Sequence, residues 1–310
     1  MSGWRREVEE RLEGLLAGGG KGEPVVFDFD NTCILGDIGE LFSHFLIDEM
    51  LYRYDLDAFW EQIHREDGRG ELRKITEAAL SVPADQRAGR EEYEVYLAEM
   101  GALYGRRLER AGPRDCYEWA VRLHVGMTAE EVRRWTAEAI EREMKRATEV
   151  EVRRTEGGEE VRIGRGIRML REMGELIKGL REAGFDVWIV SATNRWSVEV
   201  FAAHFGVGPE RVLGNRVVVD VEGVMTGETE RPVLYREGKV AIIEEAIGRW
   251  PRLVAGDSVT DLEMMREARE MALLIDRGSP VLRGEAEKRG WAVQPQEELG
   301  RVGSLEERTW

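Results

Sequence analysis

Two aspartates stand two positions apart at the end of an apolar run, in Val25-Val26-Phe27-Asp28-Phe29-Asp30-Asn31-Thr32. Far along the chain, Ser191 closes Asp186-Val-Trp-Ile-Val-Ser191, and Asp257 and Asp261 follow Leu253-Val-Ala-Gly256. Lys239 lies between these two groups. It is one of six lysines among 45 basic residues, and the only one between residues 179 and 287. A compact cation in a chain that otherwise uses arginine points to a point-charge role.

These residue types fit phosphoryl transfer. A carboxylate that attacks a phosphate meets another anion, and two unit charges 4 Å apart repel by about 4 kcal/mol at an effective dielectric of 20. Mg²⁺ offsets that repulsion by touching carboxylate and phosphate oxygens together, and Lys239 adds a second positive charge. A covalent aspartyl phosphate divides hydrolysis into two displacements. A second carboxyl two residues on can protonate the leaving alcohol, then deprotonate the attacking water.

Groups so far apart in sequence need a scaffold that brings strand ends together. Residues 25–29 and 186–191, Leu253–Gly256 and Met271–Ile275 are short and apolar, as in a buried parallel sheet, with a weaker strand near Trp291. Between them, Met173, Leu176, Ile177 and Leu180 form one helix face that Gly184 stops, and helices are expected at about 195–205 and 238–249. Asn215 to Gly227 reads as a hairpin turning at Glu222-Gly223. Ligands of such open α/β sheets sit beyond the carboxyl ends of the strands, where all these polar residues fall.

The long stretch from about 37 to 147 has a different, helical period. Ile38, Leu41, Phe42, Phe45 and Leu46 share a face, and Thr128-Ala-Glu-Glu131 is a capping box. Residues 149–163 alternate about Gly157-Gly158 as a small β-hairpin. The expected organisation is an α/β core of residues 1–35 and 167–310, with 1–23 an N-terminal helix and linker. A mainly helical segment, 36–166, is inserted after the first strand.

Composition removes other classes. The 310 residues include 61 acidic and 45 basic side chains, a net charge of −16, which disfavours nucleic acid and anionic membranes as partners. Two cysteines, Cys33 and Cys116, make no disulfide framework and fit a reducing compartment. No apolar run approaches the ~18–20 residues of a membrane span, and the charged first residues do not resemble a secretory signal, so a cytoplasmic protein is expected.

Taken in order, the Asp28-Phe-Asp30-Asn-Thr32 run, Ser191-Ala-Thr, Gly238-Lys239 and Gly256-Asp257-Ser-Val-Thr-Asp261 resemble the four motifs of the haloacid dehalogenase superfamily. Within it the chain looks most like the phosphoserine and phosphorylcholine phosphatases. The inserted segment, Gly214-Asn-Arg-Val and the placement of Gly-Lys all fit that branch. The resemblance implies a Rossmann-like core with a helical cap and an Mg²⁺-dependent phosphatase acting on a small phosphomonoester. Asp28 would be nucleophile and metal ligand, and Asp30 general acid/base, touching the metal through its carbonyl. Thr32 would support the loop, Ser191 would hold the phosphate, and Ala192 and Thr260 would lie against the substrate. Lys239 would hold nucleophile and phosphate, Asp257 would bind Mg²⁺, and Asp261 would orient Lys239 or a metal-bound water. Transfer to an alcohol instead of water, or phosphate-ligand binding without catalysis, remain alternatives.

In the phosphoserine enzymes an acidic residue near position 37 faces the substrate amine, so Asp37, or Glu40 one turn on, would select an amine- or ammonium-bearing ester. Asp37 also suits the N-cap of the helix that begins there. Among the insertion's aromatics, Tyr52, Tyr54 and Trp60 are the candidates to enclose an ammonium group. Phe42, Phe45 and Trp135 lie on helical core stripes, and the four histidines lack metal-ligand spacing.

Overall fold

The computed structural model describes residues 3–310. The chain opens with α1 (Arg6–Ala17), passes the glycine run and enters β1 (Pro24–Phe27). After β2 (Ile34–Leu35) come the helices α2 (Ile38–Asp48), α3 (Asp57–Glu61), α4 (Arg69–Ser81), α5 (Glu91–Ala111), α6 (Pro113–Arg122) and α7 (Ala129–Met144). The hairpin β3 (Glu149–Arg154)–β4 (Glu160–Arg165) completes this stretch. The chain returns through β5 (Arg168–Leu170), α8 (Arg171–Glu182), β6 (Asp186–Asn194), α9 (Arg195–Ala202) and β7 (Val212–Asn215). A second hairpin, β8 (Val217–Val219)–β9 (Met225–Thr229), precedes α10 (Glu237–Ala246), β10 (Leu253–Gly256) and α11 (Leu262–Arg266). The last elements are β11 (Met271–Asp276), α12 (Pro280–Arg289), β12 (Ala292–Pro295) and β13 (Arg301–Val302).

Six strands form one parallel sheet in the order β12-β11-β10-β1-β6-β7. β1 is central, with β10 on one side and β6 on the other, so the three strands that carry the polar motifs are neighbours. Alternate residues point to opposite faces. Val25, Phe27, Ile189, Leu253 and Ala255 join one core, with α1 and α8. Val26, Val190 and Val254 join the other, with α10, α11 and α12. Burial on both faces explains the unbroken apolar runs. The capping box forms as expected: Glu131 N–H donates to Thr128 Oγ1 at 3.2 Å and Thr128 N–H to Glu131 Oε2 at 2.9 Å.

Some boundaries move. β1 ends at Phe27, which leaves Asp28–Thr32 as loop, whereas β6 continues past Ser191 to Asn194. β2, β5 and β13 pair in a small antiparallel sheet in the order β13-β5-β2, which puts the chain's exit from the core beside its return. These strands are two or three residues long, too short for a sequence period. The β8–β9 hairpin also reaches the inserted helices. Gly126 N–H donates to Met225 O and Met225 N–H to Met127 O, each at 2.8 Å. Arg231 forms a two-pronged ion pair with Glu118 at 2.8 and 3.0 Å. No helix of the described residues is long and apolar enough to cross a membrane.

Candidate active site

Asp28 is the first residue beyond β1, and its N–H prolongs the ladder by donating to Ala255 O at 2.9 Å. The loop then turns through Asn31 at φ 58°, a left-handed conformation that asparagine tolerates. That turn brings Thr32 back so that its Oγ1 donates to Asp28 Oδ2 at 2.9 Å. Cys33 Sγ reaches Asp28 O at 3.3 Å; burial, then Asp28, pushes its thiol pKa far up, so the side chain is inert.

Lys239 enters from the first turn of α10. Gly238 is required there, because a Cβ would lie 1.8 Å from Val233 O. The fully buried ammonium donates to Asp28 Oδ1 and Asp261 Oδ1, each at 2.7 Å, and to Val190 O at 3.1 Å, which uses all three of its protons. Burial alone would lower its pKa; Asp261 and Asp28 outweigh that and hold it above the usual lysine value. Asp261 Oδ2 accepts from the N–H groups of Asp257 and Ser258 at 3.2 and 3.1 Å. Both oxygens of Asp261 are therefore engaged, one of them in orienting Lys239. Gly256 permits this approach, since a Cβ there would meet Asp261 Cβ at 2.6 Å.

Asp257 divides its two oxygens. Oδ2 accepts from Arg277 Nη1 at 2.8 Å, and Oδ1 lies 3.4 Å from Thr32 Oγ1, the hydroxyl that also serves Asp28. Carboxylate oxygens of Asp28, Asp257 and Asp261 fall within 4.8 Å of one another. Burial, then Asp261, raises Asp28 to about 6; burial, then Asp28, carries Asp257 well above the carboxylate range. Three buried carboxylates against one buried lysine leave an excess of negative charge among hard oxygen donors, which fits a divalent cation such as Mg²⁺.

Asp30 faces away from this cluster. Its Oδ2 accepts from Thr193 Oγ1 at 2.8 Å and Ser191 Oγ at 3.2 Å, and its Oδ1 from Ile38 N–H at 2.7 Å. Burial, then Asp37 and Asp28, raises its pKa well above the usual carboxylate value, which favours the protonated form. Its side chain is committed to these three donors, which leaves only the backbone carbonyl for the metal contact expected of it. Asp37 caps α2, accepting from Glu40 N–H at 2.8 Å.

The remaining expected residues have varied surroundings. Ser191 is fully buried and bonds Asp30 and Thr193 N–H. Ala192 offers its carbonyl to Asn215 Nδ2 at 2.6 Å, and Asn215 Oδ1 accepts from Leu234 N–H, tying β6 to the segment before Lys239. Thr260 turns its hydroxyl inward, to Ser258 Oγ at 2.6 Å and Asp261 Oδ1 at 3.2 Å, and so braces its loop. Thr193 and Arg277 were not anticipated. Thr193 lies beyond the expected end of its strand, and Arg277 is one of many arginines with nothing in its local sequence to single it out.

A cavity of about 340 Å³ lies against Ala192, Thr193 and Asn194 on one side and the inserted helices on the other. Asp37 and Glu40 line it, as do Tyr52, Tyr104, Tyr117, Trp119 and two histidines, His44 and His124. Burial, then Asp37, pushes Glu40 up to about 7. Burial lowers His44 to about 3 and His124 to about 4, so both rings are neutral. Of the three aromatic candidates only Tyr52 lines the cavity. Tyr54 bonds the Tyr96 hydroxyl, Trp60 Nε1 donates to Tyr54 O at 2.9 Å, and both rings pack around Phe59.

A family model described as haloacid dehalogenase-like hydrolase matches residues 97–266, just over half of the chain. The sequence finds no match among curated proteins. Among solved structures, a functionally unknown protein from Anaerococcus prevotii DSM 20548 is similar with TM-score 0.84 and 24% identity, over 97% of this chain and 96% of its own. A protein of unknown function from Bordetella pertussis Tohama I is similar with TM-score 0.54 and 18% identity, over 89% and 99%. A substrate-bound phosphoserine phosphatase gives TM-score 0.45 and 19% identity, over 89% and 95%.

Proposed function

This chain belongs to the haloacid dehalogenase-like hydrolases, and we propose that it is an Mg²⁺-dependent phosphatase of small phosphomonoesters. The observation that carries the reading is the pair of opposed aspartates: Asp28 bound to Lys239, and Asp30 held two residues away by Thr193, Ser191 and Ile38 N–H, with burial raising its pKa. One can act as nucleophile while the other supplies a proton, which is the separation that acid–base chemistry on one ester requires.

In this reading an oxygen of Asp28 forms a bond to phosphorus as the bond to the ester oxygen breaks. Asp30 gives its proton to the departing alkoxide. The resulting carboxylate of Asp30 then takes a proton from water, whose oxygen attacks phosphorus. Phosphate leaves and the Asp28 carboxylate is restored. Lys239 keeps Asp28 oriented and carries a positive charge into the site, and Ser191 is placed to donate to phosphate once Asp30 releases it. Asp28 and Asp257 are the side chains that would hold Mg²⁺, with Asp261 beside them fixing Lys239. When bound, the ion supplies charge neutralisation for the phosphate.

We divide the chain into a core of residues 1–35 and 167–310 and a cap of residues 36–166, with the cavity between them receiving the alcohol part of the ester. Asp37 and Glu40 in its wall favour an amine- or ammonium-bearing substrate. Two unpaired, buried cysteines fit a cytoplasmic setting. The test is phosphate release from a panel of alkyl phosphates by protein stripped with EDTA, with and without added Mg²⁺. Metal-dependent release that vanishes in folded Asp28→Asn supports the reading; release by that variant at the wild-type rate defeats it.

A further inference from the structure

The cavity holds more than a two-carbon amine. From its position and walls we infer that the preferred ester carries an apolar, ring-sized body beside its cationic group, lodged in the cap between Tyr104, Tyr117 and Leu123. This deepens the phosphatase reading and rests on it for the direction in which the alcohol points.

Position comes first. Thr193 both lines the cavity and donates to Asp30 Oδ2 at 2.8 Å. The cavity therefore begins one hydrogen bond from the group that would protonate the leaving oxygen, and whatever that oxygen carries must extend into it. Volume comes next. About 340 Å³ falls within the range of pockets that enclose drug-sized molecules, well beyond what an ethanolamine fragment fills.

The walls then set the chemistry. Asp37 and Glu40 lie on the α2 side, close to the core. Glu40 has the neutral His44 ring at 3.9 Å, accepts from Gly164 N–H and feels Arg165 only at longer range, so it faces the cavity without a close cationic partner. While the β4 end of the cavity brings Glu159, Glu160 and Arg162, much of the other side is aromatic and aliphatic, with Tyr104, Tyr117, Trp119, Met100, Leu103 and Leu123. Such a surface rewards apolar contact and repels an alcohol that is polar throughout. His124 completes that wall as a neutral ring packed against Phe42, so it adds no positive charge to oppose an ammonium.

Four alkyl phosphates separate the two features: ethyl phosphate, phosphoethanolamine, 2-phenylethyl phosphate and the phosphate ester of 2-amino-3-phenylpropan-1-ol. Adding the ring should raise kcat/KM about tenfold or more at either amine state, as a filled apolar pocket does. Gly105→Leu narrows the cavity without crowding the fold. Gly105 lines it from within α5, and a Cβ there meets nothing within 4 Å. This variant should lose the ring advantage, read as the ratio of kcat/KM between each ring-bearing ester and its small counterpart, so that a general loss of activity does not imitate the effect. Binding of the same esters to Asp28→Asn, read by tryptophan fluorescence, should follow the same order without turnover. If ring-bearing esters are no better than their small counterparts in both assays, the inference is overturned. If turnover is absent but the binding order holds, the cavity assignment stands and the hydrolase reading falls.

Discussion

Two groups of carboxylates lie on either side of Asp30, and they differ in their counter-charges. Asp28, Asp257 and Asp261 share the buried Lys239, with Arg277 on the outer oxygen of Asp257. Among the described residues no arginine or lysine forms a close ion pair with Asp37 or Glu40, which feel Arg277 and Arg165 only at longer range. The first group keeps an excess of negative charge over Lys239, so in the proposed reading a divalent cation bound there would let it receive an anion. The second, in the proposed reading, receives a cation. One substrate carrying both charges satisfies both groups, which is the physical content of the proposed preference for amino-alkyl phosphates.

The largest effect should come from removing the shared cation. Lys239→Met leaves Asp28 and Asp261 buried without compensation, a loss of about 3–5 kcal/mol in denaturant unfolding together with loss of turnover. A variant of wild-type stability would mean that the cluster does not depend on its lysine. Asp30→Asn keeps the hydrogen-bonded frame but has no proton to give, and should lower kcat by about 10²–10⁴-fold. Esters with good leaving groups, which need less protonation, should suffer least.

Arg277→Met tests how firmly the first group is set. Without a partner on Oδ2, Asp257 is free to rotate, and Mg²⁺ affinity measured by calorimetry should weaken about tenfold. Tighter binding would instead show that the guanidinium acts as a competitor of the metal. The smallest effect belongs to Glu40→Gln. Since Glu40 titrates at about 7, the wild-type preference for amine over neutral esters should rise as pH passes through 7, and the variant should lack that rise. The stability sign is opposite. A folded pKa above the usual 4.5 means the folded chain binds more protons, so stability falls as pH rises from about 4.5 to 7, and the variant should flatten that slope.

The sequence made the first group easy to find and the second hard. Asp28, Lys239 and Asp257 sit where apolar strands end or a helix begins, and such boundaries are written in local composition. Thr193 escaped because β6 continues beyond its apolar run, and a strand's last residues carry no periodic signal. Inside the inserted helical segment, a helical stripe of aromatics looks the same whether it faces packed neighbours or an empty space. Tyr54 and Trp60 were closed into the core by Phe59 and Tyr96, whereas Tyr104, on α5, was left facing the cavity. Only the packing of separate helices decides between those outcomes. Of the two readings of Asp37, the N-cap bond to Glu40 N–H is the one the structure contains.

The β8–β9 hairpin that hydrogen-bonds to the inserted helical segment has a mechanical consequence. The two strand-to-insertion crossings, stitched together through β2 and β5, act as a single pivot. The backbone bonds at Gly126 and Met127, with the Arg231–Glu118 pair, add an attachment at a second point. A panel fixed at a pivot and at one further point cannot swing until the second fixing lets go. On the proposed function, departure of the dephosphorylated alcohol would be coupled to breaking these hydrogen bonds, and turnover on well-fitting esters should be paced by that latch instead of by the chemistry at phosphorus.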